Sequence, residues 1–133
     1  MEKVETASAI IERVNPGLVI CRYKPGVKLL AATVAENLKA RMSFPGVEPC
    51  AVIGVFPEDL DFDMSVLKMD HYSGIALNQM TQMLAIVAEG DLFDTIAQLY
   101  LALNPTRFES NVFRTEAEAL DWVNERMARI QDL

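Results

Sequence analysis

Two stretches limit this fold more than anything else in the chain. Cys50-Ala51-Val52-Ile53-Gly54-Val55-Phe56 and Met83-Leu84-Ala85-Ile86-Val87-Ala88 are apolar without alternation. A strand with one wet face alternates apolar and polar residues; a run that does not suits a strand covered on both faces, as in a parallel sheet. Parallel neighbours cannot be joined by tight turns, so crossover helices must connect them. Pro57 closes the first run, and Glu89-Gly90 ends the second. Neither approaches the ~18–20 residues of a membrane-spanning helix, and no membrane insertion is expected.

The flanking segments fit that frame. Ala7 to Val14 and Leu18-Val19-Ile20-Cys21-Arg22-Tyr23 read as strands around an Asn15-Pro16-Gly17 turn, hence an antiparallel hairpin. Lys24-Pro25-Gly26 punctuates the chain again. Leu30, Val34, Leu38 and Met42 recur every four residues, which predicts an amphipathic helix with one inward stripe, stopped by Phe44-Pro45-Gly46. After the acidic loop Glu58-Asp59-Leu60-Asp61-Phe62-Asp63, both Asp61 and Asp63 are suitable N-caps for a helix through Val66, Leu67 and Met69. Asp91 is suited to cap a helix carrying Phe93, Ile96, Ala97, Tyr100 and Leu101, which Asn104-Pro105 ends. Val112-Phe113 is a very short strand, and Thr115-Glu116-Ala117-Glu118 is a capping-box pattern. Leu120, Val123, Met127 and Ile130 give the last helix its buried stripe. The order ββαβαβαβα predicts an α/β fold: a single mixed sheet of about five strands, an N-terminal antiparallel hairpin followed by parallel crossovers, with about four helices.

Length agrees with one domain over residues 1–133. Twelve Lys and Arg against nineteen Asp and Glu leave a net charge of −7. Such a chain repels phosphate backbones, so no nucleic acid is expected as partner. Cys21 and Cys50 lie far from any CxxC spacing and sit in apolar runs, so buried free thiols and a cytoplasmic location are expected. The charged start, Met1 to Thr6, is not followed by a signal-type apolar core.

The residues that carry chemistry form no specific motif. His71 is the single histidine, which excludes a His-rich metal site, and its neighbour Asp70 would not face it on a helix. The acidic loop lacks the glycine and ligand register of an EF-hand. Gly54 and Gly90 stand alone, outside any nucleotide-binding glycine pattern, and there is no GxSxG elbow. No metal and no cofactor are expected, and the chain is not read as an enzyme. Phe93, Tyr100, Phe108, Phe113 and Trp122 sit at spacings that suit core packing more than a pocket. Ser65 stands out. It lies near a helix start just after the acidic loop, where a phosphate would meet free amides and oppose Asp61 and Asp63.

At this point the chain resembles the STAS domain, the SpoIIAA-like fold of bacterial anti-sigma-factor antagonists, in element order along nearly its whole length. The run Glu58 to Ser65 is similar to the family's acidic loop, and Ser65 falls on the phosphoacceptor serine. Met64 stands where the family has aspartate, and Val66-Leu67 replace its serine and glycine. Leu99 to Pro105 and Val112 to Val123 look more like a group of small uncharacterised bacterial STAS-like proteins. Some relatives are described alongside the CRAL-TRIO lipid-transfer fold.

The resemblance implies a non-enzymatic protein-interaction or regulatory module in bacterial signalling. Its site would be Ser65, Asp61 and Asp63, and its partner a protein such as an anti-sigma kinase-like regulator. A homodimer is a further expectation, since an exposed edge strand invites pairing. The alternative is a carrier of a small apolar ligand or lipid. Met64, Met69, Met80 and Met83 motivate it, because methionine lines adaptable apolar surfaces.

Overall fold

Asn15-Pro16-Gly17 turns the chain as its residue types require. The Asn15 side-chain oxygen accepts the Gly17 amide at 2.9 Å. Strands β2 (Ala9–Asn15) and β3 (Leu18–Tyr23) pair antiparallel on either side. This computed structural model describes residues 2–44, 49–67, His71 and residues 79–131.

The two apolar runs form the centre of the sheet. Strand β5 (Cys50–Phe56) pairs parallel with β3, and β7 (Thr81–Ala88) pairs parallel with β5. Strand β8 (Glu109–Phe113) adds a further parallel strand beyond β7. A strand outside the predicted set, β1 (Glu2–Glu5), pairs antiparallel with β2. The result is a six-stranded sheet in the order β1-β2-β3-β5-β7-β8, one strand more than expected. Two-residue strands β4 (Lys28–Leu29) and β6 (Asp61–Phe62) make a separate parallel pair.

Among the described residues three long α-helices cover the sheet, and a 3-10 turn, Met64–Leu67, follows the acidic loop. Helices α1 (Ala31–Arg41) and α2 (Asp91–Leu103) lie on one face, and α3 (Glu116–Gln131) lies on the other. Alternate residues of the central strands divide between the two faces. Val19, Val52 and Leu84 join one buried cluster with Phe93 and Ala97 of α2. Ile20, Ile53 and Ala85 join the other with Ala119 and Val123 of α3.

Several details differ from the expected ones. Gly90, with extended backbone, is the N-cap of α2 and makes no side-chain cap bond. A Cβ there would sit 3.3 Å from the Glu58 side chain and 3.4 Å from its backbone, so the close approach of the acidic loop takes the place of a capping side chain. Asp91 instead occupies the first turn, where its carboxylate meets the positive helix end, and it pairs with Arg114 at 2.8 Å. The last helix is capped as expected in part: the Glu118 amide donates to Thr115 Oγ1 at 3.2 Å. The return contact runs from the Thr115 hydroxyl to the Glu118 carboxylate at 3.0 Å. On α3, Val123 is buried and Leu120 and Met127 pack beside it, whereas Ile130 is exposed.

The largest departure is on α1. Its two buried residues are Asn37 and Arg41, while Leu30 is exposed and Val34 and Leu38 are only partly covered. The innermost line of this helix is therefore polar. The reason is spatial: Val34, Leu38 and Ala40 pack against the core cluster while the same side of the helix roofs a cavity.

Candidate functional site

That cavity lies between the sheet and helices α1 and α2. It encloses about 90 Å³. A water needs only about 10–15 Å³ on the same measure, so the space suits a small organic molecule. Its floor is one face of the central strands, with Val19, Val52, Leu84 and Ile86 among its residues. Gly54 is part of the floor too, where a Cβ would come within 3.2 Å of the Phe56 ring. An isolated glycine inside a strand marks such a close approach.

One end is aromatic. Tyr23 stacks on Phe56 and Phe56 on Phe93, each pair with centroids 4.6 Å apart, and Phe62 meets Phe93 edge-on at 5.8 Å. Tyr23 and Phe56 stand at the C-terminal ends of β3 and β5, so the stack closes the cavity there. Cys21 is on the same wall. Burial pushes its thiol up to about 12, and a hydrogen bond from Tyr23 offsets only part of this. Both cysteines are free thiols, and Cys50 is buried.

Two polar side chains of α1 also line the cavity, Asn37 on the side of the aromatic stack and Arg41 at the opposite end. Asn37 donates to Ser8 Oγ at 2.8 Å and accepts from Thr6 Oγ1 at 2.6 Å, which ties α1 to the loop between β1 and β2. Arg41 reaches the starts of β5 and β7. Its Nη1 donates to Thr81 Oγ1 at 2.8 Å, and its Nη2 to the Met80 carbonyl at 2.9 Å and to Cys50 Sγ at 3.3 Å.

His71 stands at the cavity margin. Its backbone N–H donates to the Tyr100 hydroxyl at 3.0 Å, and its ring Nε2 lies 2.9 Å from the Val66 carbonyl. A carbonyl only accepts, so Nε2 carries the proton and holds the neighbouring 3-10 turn. Asp70 lies outside the described residues.

Of the residues singled out, Ser65 falls on this turn, Asp63 just before it and Asp61 in β6, and none of them lines the cavity. Asp63 caps the turn: its Oδ1 accepts the Ser65 amide at 2.9 Å and its carbonyl accepts the Val66 amide at 3.1 Å. Asp61 is not a cap. It sits in β6, and its carboxylate accepts the Phe62 amide at 2.9 Å. Asp61 and Asp63 are exposed, and Ser65 is partly buried.

The methionine argument for a ligand site does not survive. Met64 is exposed, Met83 is buried on the α3 face, and Met80 contributes its carbonyl to Arg41. None of the three lines the cavity, and Met69 lies outside the described residues. Of the aromatics, Phe93 and Tyr100 line the cavity, while Phe113 packs on Trp122 at 5.4 Å on the other face. Among the described residues no cluster of His, Cys, Asp and Glu could hold a metal ion. No described helix is long and apolar enough to cross a membrane.

Comparison with known proteins bears on the fold. A family model described as "Domain of unknown function (DUF7793)" matches residues 13–127. Among solved structures, the chain is similar to an uncharacterized protein from the DUF3478 family with a SpoIIAA-like fold, from Shewanella loihica PV-4. The TM-score is 0.55 at 17% identity, covering 87% of this chain and 92% of the other. The SpoIIAA-like architecture expected from the sequence is therefore the fold of this chain. No curated protein matches it.

Proposed function

We propose, from the premise that this chain belongs to the DUF7793 family and has a SpoIIAA-like fold, that it is a non-enzymatic binding module. What it binds is a small apolar molecule held between the sheet and helices α1 and α2. One observation carries this reading: a preformed cavity of about 90 Å³ walled by aliphatic and aromatic side chains, a type of lining usual for small-molecule sites. The free thiols of Cys21 and Cys50 support a reducing, cytoplasmic setting.

The test is a thermal melt with increasing octanol, paired with native mass spectrometry. A ligand that binds only the folded state raises the melting temperature in proportion to occupancy. A rising melting temperature and a one-to-one adduct are expected for the native protein, and neither for Gly54→Val, whose side chain would intrude on the cavity floor. A native protein that shows no adduct with octanol or with octanoate would end the ligand reading.

A second reading concerns the outer surface. Met64 is 54% exposed beside exposed Asp61 and Asp63 and partly buried Ser65. An apolar side chain ringed by charge suits a protein contact. In this reading the turn docks a regulatory protein of the anti-sigma kinase-like type, and phosphorylation of Ser65 weakens docking by adding charge beside two aspartates. Pull-downs with native protein and with Ser65→Glu should then recover different partners; identical sets would remove the switch.

A further inference from the structure

Among the described residues the cavity is lined by one guanidinium, Arg41, and no carboxylate faces it. Arg41 is 4% exposed. Its two Nη atoms donate only to neutral acceptors, and its Nε is enclosed without a hydrogen bond. Among the described residues no carboxylate pairs with it, and no Asp or Glu lines the cavity. A buried guanidinium is ordinarily matched by an anion, because removing it from water without one is costly. The rest of the lining is uncharged and mostly apolar; its polar groups belong to Asn37, whose amide is already engaged by Ser8 and Thr6, and to Cys21, Tyr23, Tyr100 and His71.

We infer that the cavity takes a small amphiphile with a carboxylate head and an apolar tail, the head at the Arg41 guanidinium. This rests on the ligand-binding reading above and names the class of ligand. Topology sets its direction. Arg41 bonds to Cys50 and Thr81, which begin β5 and β7, whereas the Tyr23–Phe56–Phe93 stack stands where β3 and β5 end. Seven residues of β5 separate the two ends, a span of roughly 20 Å at the usual strand rise. The head therefore lies at Arg41 and the tail runs along the floor over Gly54 toward the stack. A single carboxylate matches the single positive charge of the guanidinium. A bare anion would leave the apolar wall uncovered.

Calorimetric titration of the native protein with octanoate, octanol and acetate tests this, repeated on Arg41→Met. Octanoate should bind at least about ten-fold tighter than octanol, as expected for a charge-assisted hydrogen bond. Acetate should not saturate in the same range, and Arg41→Met should bring octanoate down to the affinity of octanol. Equal binding of octanoate and octanol by the native protein would overturn the head-group assignment while leaving the apolar-ligand reading intact. Acetate binding as tightly as octanoate would also overturn it, in favour of a plain anion site. Failure of both eight-carbon compounds removes the two readings together. The octanoate-to-octanol ratio is read on native protein, so it decides the matter whether or not Arg41→Met folds.

Discussion

Asn37 shows how a single buried amide can hold a roof in place. It bridges Thr6 and Ser8, and Ser8 is itself buried. Asn37→Leu removes the bonds to both hydroxyls, which should cost about 1–3 kcal/mol, read as a lower denaturant midpoint at unchanged slope. Cys21 offers a second check. Its thiol is raised to about 12 in the folded chain against 9.0 for an unperturbed group, so between those values the folded state holds a proton that the unfolded state has lost. Stability then falls as pH rises through that window, and Cys21→Val should flatten the alkaline decline in melting temperature. The inward placement of Asn37 and Arg41 was open to a closer look at spacing: Val34, Asn37, Leu38 and Arg41 follow the three-and-four rhythm of one helix face. A search for apolar stripes passes over it, because two of the four are polar and such residues ordinarily face water. That no described carboxylate pairs with Arg41 depends on residues far along the chain, and no local pattern encodes it.

At the level of elements, legibility followed burial. Strands β5 and β7 could be read because both their faces are covered, leaving no polar position to confuse the pattern. Strand β1 could not: Glu2, Lys3 and Glu5 surround one inward residue, Val4, and the strand exists because β2 offers it a ladder. Strands β4 and β6 are two residues each, set by the loops that carry them. Of the helix expected through Val66, Leu67 and Met69, the described part is the 3-10 turn Met64–Leu67, which Asp63 caps; Met69 lies outside the described residues. For α3 the threonine cap was read correctly from sequence, and its contribution is measurable. Thr115→Ala removes the oxygen that accepts the Glu118 amide and should destabilise the fold by about 1 kcal/mol. Thr115→Asp, which retains an acceptor at the helix start, should recover most of that loss in the same denaturation experiment.

Across the whole molecule the two sides of the sheet differ in kind. The α3 side is filled by interlocking side chains from Ile53, Met83, Val87 and Val123, all essentially inaccessible. The α1–α2 side holds the cavity, bordered by a polar helix line and a strand glycine. Space that unfolding would abolish makes the unfolded chain the smaller in volume, so hydrostatic pressure favours it. This protein should therefore yield to compression more readily than a tightly filled domain of its size, with the α1–α2 side loosening first under high-pressure spectroscopy. An occupant that fills the space would push the midpoint pressure upward, making compressibility a gauge of whether the interior is tenanted.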